Sequence, residues 1–333
     1  MADLRWQECL DPGYWDSLVA ASPQGTLFSS HAWLKALGCR YRCWLALDGA
    51  RALGMIAACE SENGEDLRQM PFTPYQGLLF AAPPERAAPP LSRQQVQQQF
   101  CIAEFMIERL CQTYRNIDMS LSWLAPDIRP LLWHNFHKPQ LGQFRLQPRY
   151  TALLHLQDSA YMQAQARACR RQENRKAAAF SVDFHASLGD FMDLYTQTFA
   201  RQGIALAPAV RETVARLCHA AQAGGFGCLS ACRSPAQTGL QAIASSTLFV
   251  HDEKRAYYLF AANNPALRHS GGATRLIFAN FEHARLRGLP EVDVVGVNSP
   301  KRGDFKLSFN PALTLYFDAH LTPGQPDEDR KQL

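Results

Sequence analysis

Apolar and polar positions alternate along the chain in blocks that change period, and the first half shows both periods clearly. Residues 43–60 form two apolar runs flanking Asp48-Gly49, a pair that favours the tight turn of a β-hairpin. Residues 94–114 place Phe100, Ile102, Ala103, Phe105, Met106 and Leu110 at roughly 3.6-residue spacing, which predicts a helix. Residues 72–80 and 116–124 read as short strands. Residues 11–37 read as two short helices around a Ser/Pro/Gly turn, and residues 81–92 as a proline-rich loop.

The second half runs through a similar order. A strand at 151–156 precedes a basic helix at 160–179. Amphipathic helices follow at 187–204 and 207–225, the latter ended by Gly224-Gly225. Strands are predicted at 227–234, 240–250 and 255–262, with a turn at 251–254. A glycine loop at 263–272 leads into a helix at 273–288 and a strand at 291–297. Phe305, Leu307 and Phe309 then alternate with Lys306, Ser308 and Asn310, which predicts a terminal strand. The tail, 322–333, is polar and reads as frayed. The shared order implies an α/β (α+β) protein of two tandem units, 1–150 and 151–333, each a mixed sheet flanked by helices. One large α/β domain is the alternative.

Composition narrows the partners. Lys+Arg 34 against Asp+Glu 30 gives +4, too small an excess to argue for DNA. No run approaches the roughly 18 apolar residues of a membrane span, and the N-terminus lacks the apolar core of a signal peptide. A cytoplasmic location is therefore expected. The ten cysteines are scattered without a C-x-x-C pair, so reduced thiols are expected rather than disulfides or a metal site. No nucleophile elbow, zinc-binding His pair, Walker lysine or dinucleotide glycine fingerprint is present. His134 and His137 read as surface or loop histidines.

Three stretches carry candidate chemistry. Arg268, Gly271, Gly272 and Ala273 lie between a predicted strand and helix. Adjacent glycines free the backbone to present successive N–H groups, and a helix N-terminus favours a diphosphate. A plain loop is the competing reading. Arg167, Arg170, Arg171, Arg175 and Lys176 form a basic run. Three of them are four residues apart, so they read either as a phosphate-gripping stripe or as a solvated face. Lys306 sits among phenylalanines, either functional or simply pointing outward from a strand.

The Arg268-x-x-Gly271-x-Ala273 loop resembles the coenzyme A pyrophosphate loop of GNAT N-acyltransferases. Residues 170–180, 191–204, 257–288 and 292–311 resemble the FemAB-like branch, in which two GNAT units are joined in tandem. Residues 25–37 and 70–80 are similar to its entry segments, and the likeness is densest over 167–310. The resemblance implies an N-acyltransferase that moves an acyl group by direct attack from acyl-coenzyme A to an amine on a small molecule or cell-envelope precursor. It implies coenzyme A binding by Arg268, Gly271, Gly272 and Ala273. It implies substrate contacts from Arg171, Arg175, Lys176, Tyr195, Arg201 and Phe305. Lys306 would project into a cleft between units and meet substrate charge. Asp304 or Asp293 would serve as base, and one of Tyr257 and Tyr258, adjacent in a strand and facing opposite ways, would protonate the leaving thiolate, Tyr258 being the candidate taken. An aminoacyl-tRNA-dependent ligase on a cell-wall precursor is the alternative donor reading, although the long helical arm common among tRNA users is not visible. A non-catalytic binding module on the same fold is the third reading.

Overall fold

The computed structural model describes residues 3–81, 92–322 and 324. Most of the expected proline-rich loop and of the polar tail lies outside these residues. The chain divides into two compact units, 1–149 with 315–333 and 150–314. The C-terminal stretch thus returns to the first unit, where the sequence had assigned it to the second.

In the first unit, strands β1 (Leu4–Glu8), β2 (Tyr41–Asp48), β3 (Arg51–Cys59) and β5 (Leu79–Phe80) form one sheet in the order β1-β2-β3-β5. The β2–β3 hairpin turns at Gly49, whose φ of 58° suits glycine. Short β4 (Asp66–Leu67) pairs with β6 (Asn116–Ser120). Helix α1 (Pro12–Ala21) starts where the Asp11 carboxylate accepts from the Gly13 and Tyr14 N–H groups. Helix α2 (His31–Leu37) follows. Helix α3 (Arg93–Thr113) opens on a Ser92/Gln95 capping box. Its stripe of Ile102, Ala103, Met106, Ile107 and Leu110 packs with Ile56, Leu67, Ile117 and Met119 into one core. A short helix α4 (Arg129–Trp133) ends the unit's first pass.

In the second unit, β7 (Arg145–His155) begins at the boundary. The expected single basic helix is two, α5 (Ser159–Gln165) and α6 (Ala168–Lys176), broken where Arg167 takes an extended N-cap conformation. Then come β8 (Ser181–Asp183), α7 (Leu188–Ala200), α8 (Pro208–Ala223), β9 (Gly227–Arg233), β10 (Ile243–His251), β11 (Ala256–Asn263), α9 (Gly272–Leu286), β12 (Glu291–Asp293) and α10 (Pro300–Leu307). The unit's strands are ordered β7-β12-β11-β10-β9-β8. Central β10 is buried from Ile243 to Val250, as expected of a strand covered on both faces. On one face Phe249 and Tyr258 meet Phe281 and Ile277 of α9. On the other, Phe260 meets Tyr195 of α7. Strand β13 (Ala312–Leu321) finally carries the chain back, and its residues 318–321 pair antiparallel with β6.

Candidate active site

Two features of β11 open a gap in the sheet. Its pairing with parallel β12 ends at Tyr257–Asp293, while its pairing with β10 continues to Asn263. The β10 register skips Leu259, a bulge that carries Tyr258 and Phe260 to opposite faces. Such bulges re-aim backbone groups and are common beside active sites.

Across the gap, the chain leaving β12 is held in unusual geometry. Val295 has a φ of 34°, a costly conformation for a β-branched residue, and Gly296 follows at 58°. Fully buried Asp293 holds this bend in place: its Oδ1 accepts from the Thr151 hydroxyl and from the Val295 N–H at 2.8 Å.

Lys306 fills the gap. It lies on helix α10, not on a strand, and is only 6% exposed. This corrects the sequence reading of a cation projecting between units, because its ammonium is buried within the second unit. Pro300 at the first helical turn starts α10, and Gly303 and Lys306, three apart, form its buried side. The Nζ donates to the Val294 carbonyl at 2.6 Å, to Val295 at 2.9 Å and, weakly, to Tyr258 at 3.5 Å. It also lies 4.3 Å from the centre of the Tyr258 ring. Burial pulls its pKa down to about 7, Arg302 adds to the fall, and Asp293 opposes it. The Tyr258 ring is stacked on Phe249, and burial holds its hydroxyl pKa above the ordinary tyrosine value.

Arg302, one turn before Lys306 and exposed, is a candidate site residue that the sequence reading did not name. Its charge acts on Lys306, Tyr258 and Tyr195, and it makes no ion pair among the described residues. The available signal was the i, i+4 pairing of Arg302 with Lys306, which only a helical reading of 300–307 brings out.

The remaining candidates separate. Asp304 is exposed and paired with Arg167 at 2.7 Å. Arg171 donates to the Ala164 and Ala166 carbonyls that end α5, so Arg167, Arg171 and Arg175 do not form a stripe of free cations. Arg175 and Arg201 are exposed. Tyr195 is buried between Phe191 and Phe199, and desolvation pushes its pKa up to about 12. The Phe305 ring carries the Arg170 guanidinium at 5.0 Å.

The glycine loop is closed over by α6. Gly271 adopts a φ of 88° against the Glu173 carbonyl, which a Cβ would approach to 2.2 Å. The Gly272 N–H donates to the Ser270 hydroxyl at 3.2 Å. The Glu173 carboxylate accepts from Thr274 in the first turn of α9, and Lys176 donates to the His269 carbonyl at 2.7 Å. Ala273 is half-buried, and Arg268 is exposed at the loop's shoulder. Diphosphate oxygens brought to this turn would meet the α6 backbone at Gly271, the committed Gly272 N–H and the Glu173 carboxylate, which is itself paired with Arg170 at 2.7 Å. The residues as arranged do not fit a diphosphate at the glycine pair.

Residues 162–306 match the family model of the acetyltransferase (GNAT) domain. No curated protein matches the chain significantly by sequence. Among solved structures, FemX superposes with a TM-score of 0.65 at 12% identity, over 94% of this chain and 96% of FemX. A tandem GNAT protein from the clavulanic acid biosynthesis pathway gives 0.55 at 13%, over 98% and 100%. The C-terminal domain of a putative lysylphosphatidylglycerol synthetase from Agrobacterium fabrum gives 0.51 at 12%, over 93% and 91%. These likenesses establish the fold, and the domain match covers residues 162–306. Residues 162–306 thus carry the likeness to the GNAT acetyltransferase domain, and the chain as a whole shares the fold of FemX and of the tandem GNAT protein.

Proposed function

We propose that the chain is an N-acyltransferase whose reaction centre is the gap between β11 and β12. The observation that carries this reading is the Lys306 ammonium seated in that gap beside the Leu259 bulge. An acceptor amine attacks the carbonyl of an activated ester, and the electron pair moves to the carbonyl oxygen. Lys306 and Arg302 stabilise that oxyanion as it forms. The N–H that Lys306 spends on Tyr258 at 3.5 Å is its weakest bond and the one most readily turned toward the oxyanion. Collapse reforms the carbonyl and breaks its bond to the donor's leaving group, and the amine proton passes through water to the departing atom. Asp293 holds the bend rather than acting as base, because its Oδ1 already accepts two hydrogen bonds.

The closed glycine pair bears on the donor. It favours an aminoacyl ester of tRNA, whose terminal ribose carries no diphosphate, over acyl-coenzyme A. The acceptor class remains an amine such as that of a cell-envelope precursor. Radiolabelled acetyl-coenzyme A and charged tRNA, each offered with a panel of amines, test both points. The expected result is transfer from charged tRNA. Transfer from the coenzyme A thioester alone reverses the donor assignment, and transfer from neither donor removes the enzymatic reading.

A further inference from the structure

We propose that the turn after α4 docks the protein on an anionic phospholipid surface. Helix α4 buries Pro130 and Leu131, yet Leu132 is exposed, and Trp133 leaves half its surface, 51%, in solvent while one side of its ring meets Phe100. The chain then reverses at Asn135, with a φ of 54°, and presents Phe136 at 62% and Leu141 at 58%.

This turn is firmly built. The Asn135 side-chain amide donates to the Gly142 carbonyl at 2.8 Å, and the Gln143 amide donates to the Asn135 carbonyl at 3.2 Å. Phe136, Lys138 and Leu141 each donate a backbone N–H to a carbonyl three residues earlier. Four large apolar side chains on one rigid turn are a patch rather than the scattered exposure of ordinary surfaces. Tryptophan and phenylalanine at such a tip suit the water–lipid boundary.

Charge selects the partner. Residues 128–145 contain no Asp or Glu but include Arg129, Lys138 and Arg145. Asp127 is spent on Arg129, whose guanidinium lies over the Trp133 ring at 5.4 Å. Lys138 and Arg145 remain exposed, and such cations near an apolar tip are drawn to anionic headgroups. A second copy docked through the same patch would bring together two rims that each carry Lys138 and Arg145 and no carboxylate between 128 and 145, a like-charge meeting that disfavours self-association. Among the described residues no helix is long and apolar enough to cross a membrane, so the contact is one that lies on the surface.

Flotation of the full chain with phosphatidylglycerol vesicles, against phosphatidylcholine vesicles and with rising salt, tests this. Wild type is expected to float with the anionic vesicles, and to do so less as salt rises. Trp133→Ser/Phe136→Ser is expected to bind at least about tenfold more weakly, as is Phe136→Ser alone to a smaller degree. Phe136→Ser carries the test if the double variant fails to fold, because the Phe136 side chain is mostly in solvent. Lys138→Glu should weaken binding and flatten its salt dependence. Absence of wild-type flotation overturns the proposal. So does flotation unchanged in Phe136→Ser, or a dimer in sedimentation that Phe136→Ser dissociates without any vesicle binding.

Discussion

Lys306 shows how far one residue can depart from its local pattern. Phe305, Leu307 and Phe309 alternate like a strand, and that alternation would leave the lysine in water. Its burial comes from Val294, Val295 and Tyr258, carbonyls far from it in sequence, and no local period reports them. The depressed pKa gives a prediction with a definite sign. Below pH 7 the folded and unfolded chains both hold the proton, so the residue adds no pH dependence. Between about 7 and about 10.4 the unfolded chain holds a proton that the folded chain lacks, so stability rises with pH. Melting temperatures of wild type and Lys306→Met, taken from pH 7 to pH 10, should diverge in favour of wild type. A constant difference would mean that the amine keeps an ordinary pKa. Subtracting the variant removes the other titrating groups, and loss of the two short bonds, to the Val294 and Val295 carbonyls, costs about 1–3 kcal/mol each at every pH.

At the scale of elements, helix α10 was misread because Phe305, Leu307 and Phe309 alternate as in a strand, and Gly303 lowers the local helix propensity as well. That glycine is there for contact: a Cβ at 303 would lie 2.4 Å from the Val297 carbonyl. Gly303→Ala should therefore push α10 from the bend after β12, lowering stability in urea titration by about 1–3 kcal/mol and reducing transfer together with it. Stability within a few tenths of wild type would show that the helix does not seat against the bend. The single basic helix expected over 160–179 failed at Arg167, whose backbone N–H bonds the Ser308 carbonyl, a tertiary contact absent from the local pattern. Strand β13 carries a further consequence. Tyr316, Ala319 and Leu321 are buried, and residues 318–321 pair with β6. Ending the chain after Thr314 should destabilise residues 1–149, seen as faster proteolysis of that unit. An unaltered digestion pattern would contradict the assignment of the last strand.

For the whole molecule, the order of helices and strands was largely legible because most elements announce themselves by period. The β2–β3 hairpin, α3, α7, α8, α9 and the strands β9 to β11 follow from apolar spacing and from Asp48-Gly49 and Gly224-Gly225. The site was legible only in part. Lys306 and Tyr258 could be named but not brought together, since the strand gap depends on where β11 and β12 part. The glycine loop was recognised as a backbone feature, yet its glycines admit the α6 backbone rather than an open diphosphate site, which spacing alone does not reveal. The central claim is that transfer occurs at the gap Lys306 fills. Single-turnover transfer from the competent donor, compared between wild type and Lys306→Met at about pH 6, a full unit below the depressed Lys306 pKa of about 7, tests it most directly. The account predicts a rate lower by at least about tenfold, or about 1.4 kcal/mol of transition-state stabilisation, with donor affinity unchanged. A folded Lys306→Met protein that transfers at the wild-type rate would contradict it.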